Sequence, residues 1–349
     1  MTKEIGSEFE MPDPGWLMGD GVPLPSDVVL VGAGRHALSL VAMDLLDRGV
    51  TTIAVPDHYC ESMIVPFTTL GMQIEFCETT DQMILNGHSV QKVLSTNTDS
   101  LAILHSETFG TPATDELRFA LDAAKSAGTP IILDRTHSLL SQTEAGPRAD
   151  YEIASLRKLL PVPDGGYVRG LRRPPGLQMT PEHQSFIKLR SQAAAQKTRY
   201  LQRKLPKKLH LDQFRHAENL LDSSLTPSPI SDFTRKLLTT LDYRSMRRAR
   251  IKNARVLEAA LSSTGVKVAN SIGWRNSPSY LVIRHPEASS LRGYLSSKKI
   301  YCPIHWPRPD VILEPRSWRT DLLSLPIDHR YTTTDMRRVA STILEYQEM

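Results

Sequence analysis

Between Val28 and Leu133 the chain alternates short apolar runs with amphipathic helical patterns, and this alternation restricts its fold more than any other feature. Val28-Val29-Leu30-Val31 is a strand-length run. After Gly32-Ala33-Gly34, the residues Leu38, Leu40, Val41 and Leu45 recur on one helical side until about Gly49. Thr52 to Val55 is a second strand, halted by Pro56-Asp57. Glu61 to Leu70 reads as a helix stopped at Gly71. Gln73–Phe76 and Leu101–Leu104 read as strands, Thr114–Ala127 as a helix and Pro130–Leu133 as the next strand. Strands alternating with helices predict an α/β fold with a mostly parallel sheet flanked by helices on both faces, because each parallel connection needs a crossover.

Beyond about residue 177 the pattern changes. Thr180 to Ser223 is long, polar and helical, and its basic stretch from Lys188 to Lys208 reads as a solvated face. Phe233 to Leu261 is also helical. Tyr280–Ile283 reads as a strand, and Ser289–Ser297 and Thr333–Glu348 as helices, which together predict a smaller α+β domain. Thr226-Pro227-Ser228-Pro229 is a hinge signal. The expected division is an irregular arm over 1–26, a large α/β domain over 27–228 and a small domain over 229–349.

A length of 349 residues with 40% hydrophobic content is ample for two cores. The net charge of +4 is too small for a dedicated nucleic-acid binder. Cys60, Cys77 and Cys302 have neither disulfide-framework nor zinc spacing, so no metal is expected. The first 20 residues lack a basic-then-apolar leader, and no apolar run reaches the roughly 20 residues that span a bilayer. A cytoplasmic protein without nucleic-acid or membrane partners is the expectation.

Two constellations carry chemistry. Gly32-Ala33-Gly34-Arg35-His36-Ala37 follows a strand and opens a helix, with Asp57 after the next strand; this fits a dinucleotide (NAD(P)) site using Gly32 and Gly34. The same turn suits any phosphate, because free N–H groups and the helix dipole point at it. Downstream, Ile131-Ile132-Leu133-Asp134-Arg135-Thr136-His137 ends an apolar strand with an acid and a histidine. Ser155-Leu156-Arg157-Lys158 follows, before Gly165-Gly166. Alone, Asp134 reads as a helix cap, Lys158 as a surface lysine and the glycines as a turn. In this order they are what pyridoxal 5′-phosphate (PLP) needs: a Schiff-base lysine, an acid for the pyridinium nitrogen and a hydroxyl for the phosphate. The leucines around Lys158 predict a buried amine with a depressed pKa.

Further segments extend this pattern: Glu4 to Phe9, Gly34 to Leu38, Pro56 to Phe67, Phe109-Gly110-Thr111-Pro112, Ile304-His305-Trp306-Pro307 and Leu323 to Tyr331. With Asp134–His137 and Ser155–Lys158, they make the chain resemble the DegT/DnrJ/EryC1/StrS family of PLP-dependent aminotransferases, within fold type I, the aspartate aminotransferase fold. The resemblance implies an enzyme in specialised biosynthesis. It assigns Lys158 to the Schiff base and proton transfer, Asp134 to the pyridinium and His137 to the ring. It assigns Gly34, Ser155 and the backbone of Arg35 and His36 to the phosphate, with Arg157 either as a further phosphate contact or reaching across a dimer interface. Tyr59, with His58 as substitute, is expected to stack on the ring, and His305, Trp306 and Arg330 to line the substrate pocket. It also implies a homodimer with shared active sites. The Ser-x-x-Lys spacing is shorter than the Ser-x-His-x-x-Lys of many sugar aminotransferases. That points to a small amino acid or amine/keto substrate. Elimination, cyclisation or decarboxylation of an amino acid would use the same residues and stays open beside transamination.

Overall fold

The apolar runs become strands because each buries alternate residues on opposite faces of one sheet. In the computed structural model, which describes residues 3–96, 100–142, 149–173, 175–205, 208–270, 272–273, 275–309 and 318–349, the elements run as follows. The arm carries β1 (Ile5–Gly6). Then come β2 (Val29–Val31), α1 (Gly34–Leu46), β3 (Thr52–Pro56), α2 (Glu61–Thr69), β4 (Gln73–Cys77), α3 (Gly87–Thr96), β5 (Leu101–Ser106), α4 (Asp115–Ser126), β6 (Ile131–Asp134), β7 (Tyr151–Ser155) and β8 (Gly166–Arg169). There follow α5 (Pro181–Leu201), α6 (His210–Asp222), α7 (Asp232–Leu238) and α8 (Tyr243–Leu261). The chain ends through β9 (Lys267–Val268), β10 (Leu281–Arg284), α9 (Ala288–Ser297), β11 (Ile300–Tyr301), β12 (Leu322–Leu325) and α10 (Thr333–Gln347).

Seven strands form the main sheet in the order β2-β8-β7-β6-β5-β3-β4. The pairs from β4 to β7 are parallel, and β8 is antiparallel to both β7 and β2. Both faces are covered. Ile53 and Val55 of β3 pack with Leu38, Val41 and Leu45 of α1 and Phe67 of α2. Ala54, between them, faces Val90 of α3 and Leu117 and Leu121 of α4. The observed class is the predicted one: fold type I α/β.

This strand order removes the dinucleotide reading. A βαβ fingerprint needs β2 and β3 adjacent and parallel, with the phosphate turn between them. Here β2 pairs only with antiparallel β8, four strands away from β3. Asp57 accepts hydrogen bonds from the backbone N–H and hydroxyl of Thr79 (3.0 and 2.8 Å).

A second, three-stranded antiparallel sheet, β12-β10-β9, packs with α8, α9 and α10 around Leu257, Leu281, Leu291 and Met336. Asn253 of α8 ties its loops together, its Nδ2 donating to the carbonyls of Ile327, Asp328 and Tyr331 (3.0–3.2 Å). Asn253→Ala leaves three buried carbonyls short of a donor. It is expected to cost about 1–3 kcal/mol, read as a lower urea midpoint at unchanged m-value.

The arm is more ordered than its composition implies. Ile5 pairs in parallel with Ile300. The basic stretch of α5 is only in part a solvated face: Lys188 and Arg199 are exposed, but Arg190 and Lys197 are each 3% exposed. Their partners are acids of the arm, Glu8 for Arg190 (2.7 Å) and Glu10 for Lys197 (3.2 Å). Those acids lie some 180 residues upstream, so local charge pattern did not reveal them. The helical stretch from Phe233 to Leu261 divides at Thr239–Asp242, where Asp242 caps α8 by accepting from the Ser245 N–H (3.0 Å). Ile230, Leu237 and Leu238 share a core with Ala154, Leu156 and Tyr167 of the main sheet's neighbourhood. Among the described residues no helix is long and apolar enough to cross a membrane.

Candidate active site

Three parallel strands end side by side, and each ends on a polar residue: Ser106 on β5, Asp134 on β6 and Ser155 on β7. Carboxyl ends of strands are where open α/β sheets bind ligands. One pocket there is lined by Ser106, Asp134, Ser155, Gly34, Arg35, His137, Lys158 and Trp306. It gathers residues spread over more than 270 positions of sequence.

The start of α1 faces this pocket. Its N-cap, Ala33, has extended backbone and provides no side-chain cap, so the first N–H groups keep their pull on an anion. Gly34 lets the helix abut β7: a Cβ there would lie 2.9 Å from the Ser155 Cβ. Gly165-Gly166 serves the same approach from the other side. Gly165 has φ +118°, and a Cβ on Gly166 would meet the Ala33 backbone at 2.8 Å. Gly34→Ala is therefore expected to cost about 1–3 kcal/mol through overpacking, and to weaken the binding of inorganic phosphate measured by calorimetry.

Asp134 is 6% exposed. Its Oδ1 accepts from the Thr136 N–H (2.8 Å). Burial raises its pKa; the Thr136 hydrogen bonds and the Lys158 charge oppose that shift. A cation placed against it would stabilise the ionised form. His137 is buried, and its Nδ1 accepts from the Phe109 N–H (3.1 Å). Burial first, then the charges of His305 and Lys158, holds its pKa well below 6.5. The ring is thus neutral near pH 7 with its proton on Nε2, a donor. It stacks against Phe109 and Trp306, at interplanar angles of 18° and 12°.

Lys158 departs from its expected environment. Leu156, Leu159 and Leu160 are buried (0–1% exposed), but Lys158 itself is exposed, at the junction of this pocket with a second cavity. The leucines turn into the core of β7 and β8 and do not enclose the amine. Arg157 lines both spaces and is held in a two-pronged pair by Glu218 of α6 (2.9 and 2.8 Å). Arg35 pairs with Asp222 of the same helix (2.5 Å). Helix α6 thus supplies counter-charges to both arginines near the α1 terminus, a role its sequence did not signal.

Other expected residues lie elsewhere. Tyr59 is 4% exposed, stacks on Phe76 and meets Trp318 edge-on. It packs in the core beneath α1 and α2 and does not line the pocket; Cys60, Ser62 and Met63 do. His58 tilts against Trp306 and Trp318, its Nε2 3.2 Å from the His305 carbonyl. The His36 backbone N–H, expected on the phosphate, donates to the Ala33 carbonyl (3.1 Å), and its side chain is turned away: its Nδ1 accepts from the Ser228 N–H (3.4 Å), and burial lowers its pKa to about 3.

The second cavity, about 560 Å³, runs from Lys158 past His137, His305 and Tyr280 to Arg292, Tyr301, Lys208 and the arm. His305 bonds Ser324 Oγ through Nδ1 (2.8 Å), and burial lowers its pKa to about 3. Trp306 lines the first pocket instead. Arg330 reaches the cavity wall, but its donors are spent on Asp328, Glu10 and the carbonyls of Ser7 and Glu8. Its role is to anchor the arm, an assignment that the adjacent Asp328 alone did not reveal.

No family model and no curated protein matches the chain. Solved structures do match. It is similar to a DegT DnrJ EryC1 StrS aminotransferase from Brucella abortus at 16% identity and TM-score 0.61, over 91% of this chain and 85% of that one. It is similar to the aminotransferase TlmJ from Streptoalloteichus hindustanus at 15% identity and TM-score 0.64, over 93% and 87%. It is also similar to DesI, solved in the presence of its TDP-sugar product, at 16% identity and TM-score 0.61, over 90% and 79%. A backbone shared over nine-tenths or more of this chain makes one conclusion plain: it has fold type I, the fold of these aminotransferases.

Proposed function

We propose that this protein is a PLP-dependent aminotransferase of the DegT/DnrJ/EryC1/StrS group, acting in specialised biosynthesis. The observation that carries the reading is the single pocket in which Lys158, Asp134, Ser155 and the uncapped N-terminus of α1 converge. The residues fit the cofactor at each end. The glycine at position 34 keeps the helix start flush with Ser155, leaving free N–H groups for a phosphate. Asp134, buried and bonded by its neighbour on one oxygen, suits a pyridinium cation.

When bound, PLP supplies an electron sink for charge released at a substrate carbon. Lys158 would hold it covalently through Nζ and, once displaced by the donor amine, would carry the proton leaving the donor's Cα. Asp134 would hold the positive ring nitrogen. His137 would donate from Nε2, fixed in that tautomer by the Phe109 N–H. Ser155 Oγ and the N–H groups of Gly34 and Arg35 would hold the phosphate.

The acceptor is proposed to be a keto sugar or a compound of that size. The cavity beside Lys158, about 560 Å³, falls among sites for ligands of drug size, about 300–1,000 Å³, and is larger than a small amino acid fills. The short Ser-x-x-Lys spacing does not count against this, since Ser155 and Lys158 line the same pocket. The open position of Lys158 supports a homodimer whose partner covers it, and light scattering tests that. The central experiment is a visible spectrum of the PLP-loaded protein, borohydride reduction and peptide mass mapping. Label on Lys158 is expected, and a colourless, unlabelled protein would overturn the reading. A labelled protein that never yields pyridoxamine phosphate with any amino donor would favour elimination, cyclisation or decarboxylation.

A further inference from the structure

The first pocket is built almost wholly by the seven-stranded sheet and the helices around it. Among the described residues its lining comes from positions 33–221, with Trp306 as the exception. Trp306 belongs to the stretch between β11 and β12, and β12 is an edge of the three-stranded sheet.

The indole is set among rings of the larger sheet. It lies nearly parallel to His137 (12°) and to Phe109 (16°), which are within 18° of each other, and His58 tilts against it at 5.6 Å. A flat ligand parallel to the His137 ring is therefore nearly parallel to the indole as well. The Trp306 carbonyl accepts from Trp318 Nε1 (2.9 Å), and the Trp318 ring meets Tyr59 edge-on. On the other side, His305 bonds through Nδ1 to Ser324 Oγ of β12 (2.8 Å). One intervening residue thus joins a pocket side chain to the smaller sheet.

Two observations direct this indole at the cofactor. Tyr59, the aromatic expected on the cofactor ring, packs instead on Phe76 and Trp318, which leaves His137 and Trp306 as the rings that line the pocket among the described residues. Asp134 stands in the same pocket, so a pyridine ring held there carries a proton and a positive charge. The face of an indole is the best side-chain partner for a cation.

We propose that Trp306 is the aromatic partner of the cationic cofactor ring, and that cofactor occupancy thereby tightens the seating of the three-stranded sheet on the seven-stranded one. This rests on the PLP reading and extends it from chemistry to the docking of the two sheets. A ligand that touches Trp306 only while the smaller sheet is seated favours the seated state, and the seated state in turn binds that ligand more tightly. Inorganic phosphate at the start of α1 offers the indole no ring and serves as the control.

The test titrates the cofactor-free full chain with PLP, followed by visible absorbance, and separately with inorganic phosphate, followed by calorimetry. Trp306→Leu is expected to weaken PLP binding about tenfold. Trp306→Phe should keep most of the affinity, and both variants should bind inorganic phosphate as the unmodified protein does. Hydrogen exchange supplies the second readout: PLP should slow amide exchange in β10 and β12 of the unmodified protein and fail to do so in Trp306→Leu. Undiminished PLP affinity in Trp306→Leu would overturn the proposal. So would an equal loss of PLP and inorganic phosphate binding, the mark of a residue that only holds the pocket together. Slowed exchange in β10 and β12 that persists in Trp306→Leu would overturn the coupling between cofactor and sheet. Where Trp306→Leu does not fold, Trp306→Met, longer and also without a π face, takes its place in the same comparisons. Label on Lys158 with undiminished PLP affinity in the variant overturns the role of Trp306 alone. An unmodified protein that neither takes label nor binds PLP overturns the PLP reading, and the role of Trp306 with it.

Discussion

Replacing Lys158 with alanine is expected to lower turnover with any amino donor by at least about 10³-fold while leaving the fold intact. The fold should survive because the side chain is exposed, and the core here is made by Leu156, Leu159 and Leu160. Turnover should fall because no other amine lines the first pocket among the described residues, so neither covalent attachment nor the proton transfer has a substitute. The measurement is single-turnover kinetics in PLP-loaded protein beside thermal unfolding. Loss of turnover with an unchanged Tm is the expected pair of results. Retention of turnover within tenfold would remove Lys158 from the reaction. Adding a small primary amine should recover part of the loss, since the missing group is a proton carrier.

The second large effect has opposite signs in two assays. Asp134→Asn is expected to reduce turnover by at least about 10²-fold, since a neutral amide cannot hold a positive ring nitrogen. The same substitution is expected to stabilise the cofactor-free protein at pH 7. Burial raises the Asp134 pKa above its ordinary 3.8. The folded chain therefore binds this proton more tightly than the unfolded chain does. Its contribution to stability is complete below pH 3.8 and is lost as the pH rises through the folded pKa. Asparagine carries no such penalty and keeps an oxygen for the Thr136 N–H. The Tm of Asp134→Asn should exceed that of the unmodified protein at pH 7, with the gap narrowing as the pH falls toward 3.8. With PLP bound the order should reverse. A Tm difference that does not change with pH would mean that the carboxyl titrates alike in the folded and unfolded chain, so that burial does not shift it.

Much of this architecture was legible in local pattern. The β3, β4, β5 and β6 strands were readable because each is a compact apolar run between turn residues, and α4 because Thr114 caps it, accepting from the Leu117 N–H (3.3 Å). α3, β7 and β8 were missed. α3 buries only Gly87, Val90 and Val93, and β7 interrupts its apolar side with Glu152. α5 and α6 read as one helix although Pro206 between them is a stop signal, because the polar, basic pattern continues on both sides of it. Among site residues, Asp134, His137, Ser155, Gly34, Arg35 and Lys158 do meet in one pocket. Tyr59 does not: as a large aromatic next to Phe76 it gains more by burial than by facing a polar pocket. Arg330 does not offer itself to substrate, because acids and carbonyls of the distant arm satisfy it.

The sequence by itself determined the class of the fold and the order of its chemical groups. Periodicity states which residues become strands and helices, and strand ends state where polar groups accumulate. It could not determine which charges remain unpaired. Glu218 and Asp222 of α6 pair with Arg157 and Arg35, Glu8 and Glu10 of the arm pair with Arg190 and Lys197, and Arg330 pairs with both Asp328 and Glu10. Most of those partners lie far apart in the chain, and pairing depends on distances of 2.5 to 3.2 Å that only packing sets. Tertiary structure alone therefore decided that Lys158 stands exposed where the first pocket meets the larger cavity.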